Sequence, residues 1–324
     1  MAGRELKQIF SAFSSGDDTA FRRAALTIIE EEEAKQHFAL ARDLRRRIGR
    51  DEHEGAAKDL SPLPAAPRDP DHDVALADVL WPERTFADLV LAPRSIEPLM
   101  AVAAETKHRQ LLTEHGVPPR RKLMFWGPPG CGKSSAAEAL ASELGWPLMS
   151  VRIDAIVSSF LGETAANLRR VLEEARASQW VVAFDEFDAL GRQRNDPTEH
   201  GEIKRVVSSF LQMLERFDGP SILIAATNHE KLLDDALWRR FDDVIEFRRP
   251  TVAQIRLLLR QRLARVPSRH PRVEEAASRL RGLPHAAAEY AVWDAYRSQL
   301  VAGESRVTGA ALAAAVDRAR QRPW

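Results

Sequence analysis

The chain has 324 residues, enough to bury a sizeable core without disulfides or metals. Lys plus Arg equals Asp plus Glu at 47 each, so no overall basic field points to nucleic acid or to an anionic membrane. The single cysteine, Cys131, cannot form an internal disulfide, no apolar run approaches the length of a bilayer span, and no leader pattern opens the chain. Together these readings lead us to expect a cytoplasmic protein without a membrane partner.

Residues 4–50 carry helical spacing: Leu6, Ile9, Phe10 and Phe13 form one apolar stripe, and Phe21, Ala25, Ile28 and Ile29 begin another. Asp17 or Asp18 can cap the second helix, so residues 1–50 are expected to form a helical hairpin or small helical unit. From residue 51 to residue 80 this periodicity is lost, and Pro62, Pro64, Pro67 and Pro70 favour extended backbone, which predicts a flexible linker. Beyond it, helical patterns alternate with short apolar runs at Lys122–Trp126, Leu148–Ile153, Trp180–Phe184, Ser221–Ala226 and Val244–Phe247. Such alternation predicts an α/β domain over 81–250, built on a five-stranded parallel sheet. Past Pro250 only helical spacing remains, at Ile255–Leu263, Glu274–Leu280 and Ala286–Leu300, which predicts a helical lid over 251–324.

Chemistry enters at Gly127-Pro128-Pro129-Gly130-Cys131-Gly132-Lys133-Ser134, directly after a strand and before the helix that Ser135 opens. Glycines there let backbone N–H groups converge on phosphates at a helix N-terminus, Lys133 supplies a mobile charge, and the Ser134 hydroxyl can ligate Mg²⁺. Asp185 and Glu186 follow the buried run Val181–Phe184, at the strand edge where a parallel sheet presents its ligand. One carboxylate can hold the metal while the other orients an attacking water; the plainer alternative is that both cap a following helix. Asn228 ends a third strand, where an amide can reach a γ-phosphate or simply form a turn.

In order and spacing these segments resemble the AAA branch of the AAA+ ATPases over roughly residues 81–300, beginning with Thr85-Phe-Ala-Asp-Leu-Val, which resembles the segment bordering the base. The resemblance implies a phosphate-loop NTPase sheet of order 5-1-4-3-2, with ATP and Mg²⁺ held by Gly127 through Ser135 and by Asp185. It also implies Ser134 and Asp185 as the metal pair, Glu186 as the catalytic carboxylate and Asn228 as the γ-phosphate sensor. Leu237-Trp-Arg239-Arg240-Phe-Asp242 resembles the arginine-finger segment, which implies a homo-oligomeric ring, in the form of a hexamer. Within one subunit the same arginines can instead pair with Asp234, Asp235 or Asp243. Phe160, Leu161 and Gly162 resemble the pore-loop triplet that grips a polypeptide, and 192–201 lies where a second pore loop is expected. The lid run Leu280-Arg-Gly-Leu-Pro-His-Ala-Ala-Ala-Glu289 departs from the family's serine-glycine-alanine-aspartate pattern.

Two functions of different class compete on these residues. One is a threading motor whose N-terminal unit recruits a polypeptide client or partner; the other is an ATP-switched scaffold or loader. Neutral charge weakens a nucleic-acid version of the second. A small-molecule kinase would need neither Asn228 nor paired arginines. The chain contains no His-Glu-x-x-His, so any proteolysis is expected from a separate chain.

Overall fold

A computed structural model describes residues 24, 25, 27–29, 63–156, 161–186, 209–228 and 238–324, with backbone alone at 161 and 162. Residues 24, 25 and 27–29 are helical with Ala24, Ala25 and Ile29 buried; the rest of the expected N-terminal hairpin lies outside the described residues.

The chain then runs through β1 (Ala77–Leu80), a 3-10 turn at Phe86–Asp88, α1 (Pro93–Lys107), α2 (Arg109–Glu114), β2 (Lys122–Trp126), α3 (Lys133–Leu144) and β3 (Leu148–Val151). It continues with α4 (Ile153–Ile156), α5 (Leu161–Ala177), β4 (Val181–Phe184), a helical stretch over 209–215, β5 (Ile222–Thr227) and β6 (Asp243–Glu246). Last come α6 (Val252–Leu263), β7 (Ser268–Arg269), α7 (Val273–Arg279), α8 (His285–Val301), β8 (Val307–Thr308) and α9 (Gly309–Gln321).

The main sheet has six strands in the order β1-β3-β4-β5-β2-β6. Its five parallel members, numbered from the strand before the phosphate loop and read from the β6 edge, have the expected order 5-1-4-3-2. The sixth strand corrects the reading of 51–80 as linker throughout: Ala77–Leu80 pairs antiparallel with β3, matching Ala77 to Val151 and Leu80 to Leu148. Upstream of it, Arg68 and Ala75 form a bridge, and a buried Asn167 of α5 donates to Asp69 over 3.1 Å.

Alternate strand residues supply two cores, as a period of two requires when both faces of a sheet are covered. Met124, Val182, Phe184 and Leu223 face α5 and the 209–215 helix, while Leu123, Phe125, Val181 and Ile224 face α1 and α3. A third core holds the C-terminal helices together through Leu258, Leu259, Leu280, Ala291 and Leu312. Thr251 caps α6, its hydroxyl accepting from Gln254 N at 3.3 Å, and Thr308 caps α9, accepting from Ala311 N at 3.2 Å. This C-terminal unit is not purely helical, because β7 and β8 pair in parallel. Two-residue strands leave no readable alternation. Among the described residues no helix is long and apolar enough to cross a membrane.

Candidate functional site

Strands β4, β5 and β2 are neighbours, so the segments that leave their carboxyl ends meet in one place. From β2 the chain enters the glycine loop. Gly127 has φ 140°, and a Cβ there would sit 2.0 Å from the Phe247 carbonyl oxygen, so only glycine lets the loop leave the sheet beside β6. Gly132 has φ 100° and opens α3, directing that helix's N-terminal N–H groups toward the loop.

Lys133 is 6 % exposed, and its Nζ donates to the Gly127 carbonyl at 2.7 Å, to the Pro128 carbonyl at 3.0 Å and to Asn228 Oδ1 at 2.7 Å. An ammonium has three donors, and these three acceptors hold it over the loop. Asn228, which directly follows β5, is thus brought onto the Lys133 side chain. The exposed Ser134 hydroxyl donates to Asp185 Oδ2 at 2.5 Å, bringing a hydroxyl and a carboxylate to one point. Hard oxygen donors of this kind fit Mg²⁺, which takes one or two protein ligands and completes its shell with phosphate and water. Among the described residues no cluster of three or more His, Cys, Asp or Glu exists to suggest a softer metal. Glu186 is exposed, and its backbone N–H donates to Asp185 Oδ1 at 2.9 Å. Its φ of 50° is uncommon for a residue with a Cβ, and such backbone strain concentrates at functional positions. Cys131 contributes backbone to the loop while its side chain is fully buried in the core under α3, where burial pushes the thiol pKa up.

A cavity of about 300 Å³ joins these groups to the C-terminal helices. Its wall runs from Pro129, Gly130, Gly132, Lys133, Ser134 and Ser135 past Asp185, Glu186 and Asn228 to Leu258, Arg262, His285, Ala286 and Glu289. The strap Asp88–Leu91 and Arg84 close one side, with Arg84 paired to Glu138 of α3 at 3.0 Å. The lid departs from the family's usual run, yet it reaches the loop: Ala286 N donates to the Gly130 carbonyl at 3.1 Å. His285, Arg262, Glu289 and Arg84 were not identified from sequence, because only the folded strap and lid bring them to the loop. The Pro-His start of α8 was the one available signal.

The strap is itself built locally. Thr85 N–H and hydroxyl donate to Asp88 Oδ2 at 2.9 and 3.0 Å, and Asp88 also pairs with Arg265 of the lid. Burial pushes the Asp88 carboxyl pKa up, but the Thr85 bonds and the Arg265 guanidinium outweigh it and hold the carboxyl below its ordinary value. His285 Nε2 lies 2.8 Å from the Val90 carbonyl, and its pKa is lowered chiefly by burial.

The expected arginine fingers are placed differently from one another. Trp238 packs edge-on against Trp126 at 6.2 Å, leaving Arg239 exposed, whereas Arg240 pairs with Glu215 of its own chain at 3.0 Å. Asp243 is taken by Arg120, and Asp234 and Asp235 lie outside the described residues. Leu161 and Gly162 stand in the first turn of α5; Phe160 and the segment 192–201 lie outside the described residues.

Comparison with known proteins agrees with this geometry. The family described as ATPase family associated with various cellular activities (AAA) matches residues 123–249. The AAA family ATPase y4kL of Sinorhizobium fredii is 41 % identical over 270 residues, covering 82 % of this chain and 79 % of that one. The ATP-dependent zinc metalloprotease FtsH 3 of Sphaerobacter thermophilus is 32 % identical, covering 73 % of this chain and 50 % of its own length. The proteasome-activating nucleotidase of Pyrococcus abyssi is 35 % identical over 51 % of this chain and 44 % of its own. The chain therefore spans half or less of the latter two proteins.

Proposed function

Because the chain belongs to the AAA family of ATPases, we propose that it is a Mg²⁺-dependent ATP-hydrolysing motor that assembles as a homohexameric ring and threads a polypeptide client. The observation that carries the proposal is the convergence at one strand edge: Lys133 bonded to Asn228, and Ser134 bonded to Asp185, with Glu186 next in the chain. The loop N–H groups and Lys133 bind and orient the phosphates, and Asn228, already on Lys133, positions the γ-phosphate end. Ser134 and Asp185 would hold Mg²⁺, which would supply positive charge against the phosphates. Glu186 accepts a proton from the attacking water and aims it. Arg239 and Arg240 reach the nucleotide of the adjoining subunit, which ties hydrolysis to assembly.

Threading is supported by the names of two relatives, a metalloprotease that depends on ATP and a nucleotidase that activates the proteasome. It also rests on the run Phe160-Leu161-Gly162 in the sequence, of which Leu161 and Gly162 open α5. The N-terminal helical unit, residues 1–50, recruits the client in this reading, and the site of action is the cytoplasm.

The test uses Glu186→Gln protein loaded with ATP as a trap, alone and combined with Phe160→Ala, with captured proteins identified by mass spectrometry. Polypeptides captured by the first and released by the second support threading. Capture indifferent to Phe160 would move the assignment to an ATP-switched scaffold or loader.

A further inference from the structure

The segment that carries Arg239 and Arg240 is tied to both ends of β2. Trp238 packs edge-on against Trp126, the last residue of that strand, and Phe241 is buried in the core on the α5 side of the sheet. Asp242 then closes the segment on the strand's opposite end. Its Oδ2 accepts from the Arg121 and Lys122 N–H groups, each at 2.8 Å, while its own N–H donates to the Lys122 carbonyl at 2.7 Å. The Lys122 ammonium stands farther off, 3.9 Å from Oδ1. Both bonds to Oδ2 lie near the surface, where water could satisfy the same N–H groups, so what the carboxylate adds is position rather than the rescue of a buried donor.

Neighbouring residues repeat the connection. Arg120 pairs with Asp243 and with Glu105 of α1, and Arg121 Nη1 donates to the Asp218 and Gly219 carbonyls at 3.3 and 2.8 Å, in the turn that follows Glu215. Residues 120–122 therefore brace the arginine segment on one side and, on the other, the stretch after Glu215, the partner of Arg240. An exposed arginine presents its guanidinium reproducibly only where its backbone is held, and a misplacement of about 1 Å can cost about 10²-fold in a reaction that depends on orientation.

Resting on the reading of Arg239 and Arg240 as groups that reach the adjoining subunit, we propose that Asp242 is their positioning residue. Its carboxylate fastens the arginine segment to the start of β2 and so sets where both guanidiniums meet the neighbour's nucleotide. What matters is an acceptor at a fixed place, since one oxygen takes both N–H bonds.

The test measures ATP turnover, and ATP affinity by calorimetry, in full-length variants of position 242. Asp242→Ala is expected to lower turnover at least about tenfold with ATP affinity unchanged. Asp242→Asn, whose amide oxygen can accept both N–H groups, is expected to keep turnover near the wild-type value. An Asn variant as slow as the Ala variant would overturn the inference, because charge and not the acceptor would then be at work. Mixing Asp242→Ala with Glu186→Gln protein separates positioning from a local defect, since the first keeps its nucleotide site and the second keeps its arginines. Turnover of the mixture should exceed the sum of the two proteins alone, with about half of the Asp242→Ala sites completed by a Glu186→Gln neighbour at equal ratio. Arg239→Ala mixed with Glu186→Gln is the control. A gain in the control and none with Asp242→Ala would overturn the inference and leave the trans role of the arginines intact, whereas no gain in either mixture would overturn both. Should Asp242→Ala fail to melt cooperatively, Asp242→Ser, whose oxygen stands one bond closer to the backbone, takes its place in both experiments.

Discussion

Lys133 is buried on two loop carbonyls and the Asn228 amide, so a phosphate entering the site exchanges with acceptors already arranged around the ammonium. Removing the ammonium leaves loop N–H groups alone to hold a highly charged ligand. Lys133→Ala is therefore expected to lose ATP binding in calorimetry. Glu186→Gln keeps the side chain's size but cannot take a proton from water, so it should bind ATP with unchanged affinity and hydrolyse it about 10²–10⁴-fold more slowly. Hydrolysis at the wild-type rate would remove Glu186 from the reaction. These residues were legible because a phosphate loop needs fixed residue types at fixed spacing. Arg262 and His285 were not, since a buried guanidinium and imidazole acquire meaning only from the atoms that surround them.

At the scale of elements, local chemistry and tertiary pairing made separate contributions. The runs expected at Lys122–Trp126 and Trp180–Phe184 became β2 and β4 with shifts of at most one residue, because strands buried on both faces read as continuous apolar runs. Leu148–Ile153 was read two residues too long: β3 ends at Val151, and Ile153 turns into α4. The short β1, Ala-Asp-Val-Leu, has no such signature and exists because the open edge of β3 pairs with it. The strap from Thr85 to Leu91 is one of the elements that couple sheet to lid, through Asp88 to Arg265 and Val90 to His285. Asp88→Ala removes a reciprocal cap and the lid contact together, and is expected to cost about 1–2 kcal/mol in urea unfolding. An unchanged midpoint would show that the strap does not brace the lid.

For the whole molecule the decisive question is assembly. Arg240 is satisfied by Glu215 within its own chain while Arg239 is exposed, so the two arginines are not equivalent within one subunit. If both act across a subunit boundary, Arg239→Ala and Arg240→Ala should each lower turnover by about 10³–10⁵ with ATP affinity retained, and wild-type specific activity should rise with protein concentration. Glu215→Gln separates the roles: it would reproduce Arg240→Ala if that arginine only braces its own subunit, and would spare turnover if Arg240 leaves Glu215 on assembly. The sequence by itself determined the parallel sheet and the phosphate-loop pattern, and the resemblance to the AAA ATPases implied the strand order. The first two follow from periodicity and from a motif whose chemistry tolerates few alternatives. Only the tertiary structure decided the antiparallel sixth strand, the bonding of Lys133 to Asn228, the partner of Arg240 and the lid wall of Arg262 and His285. Each of these is a meeting of residues far apart in the chain, and no local pattern encodes which of several possible partners burial will bring together.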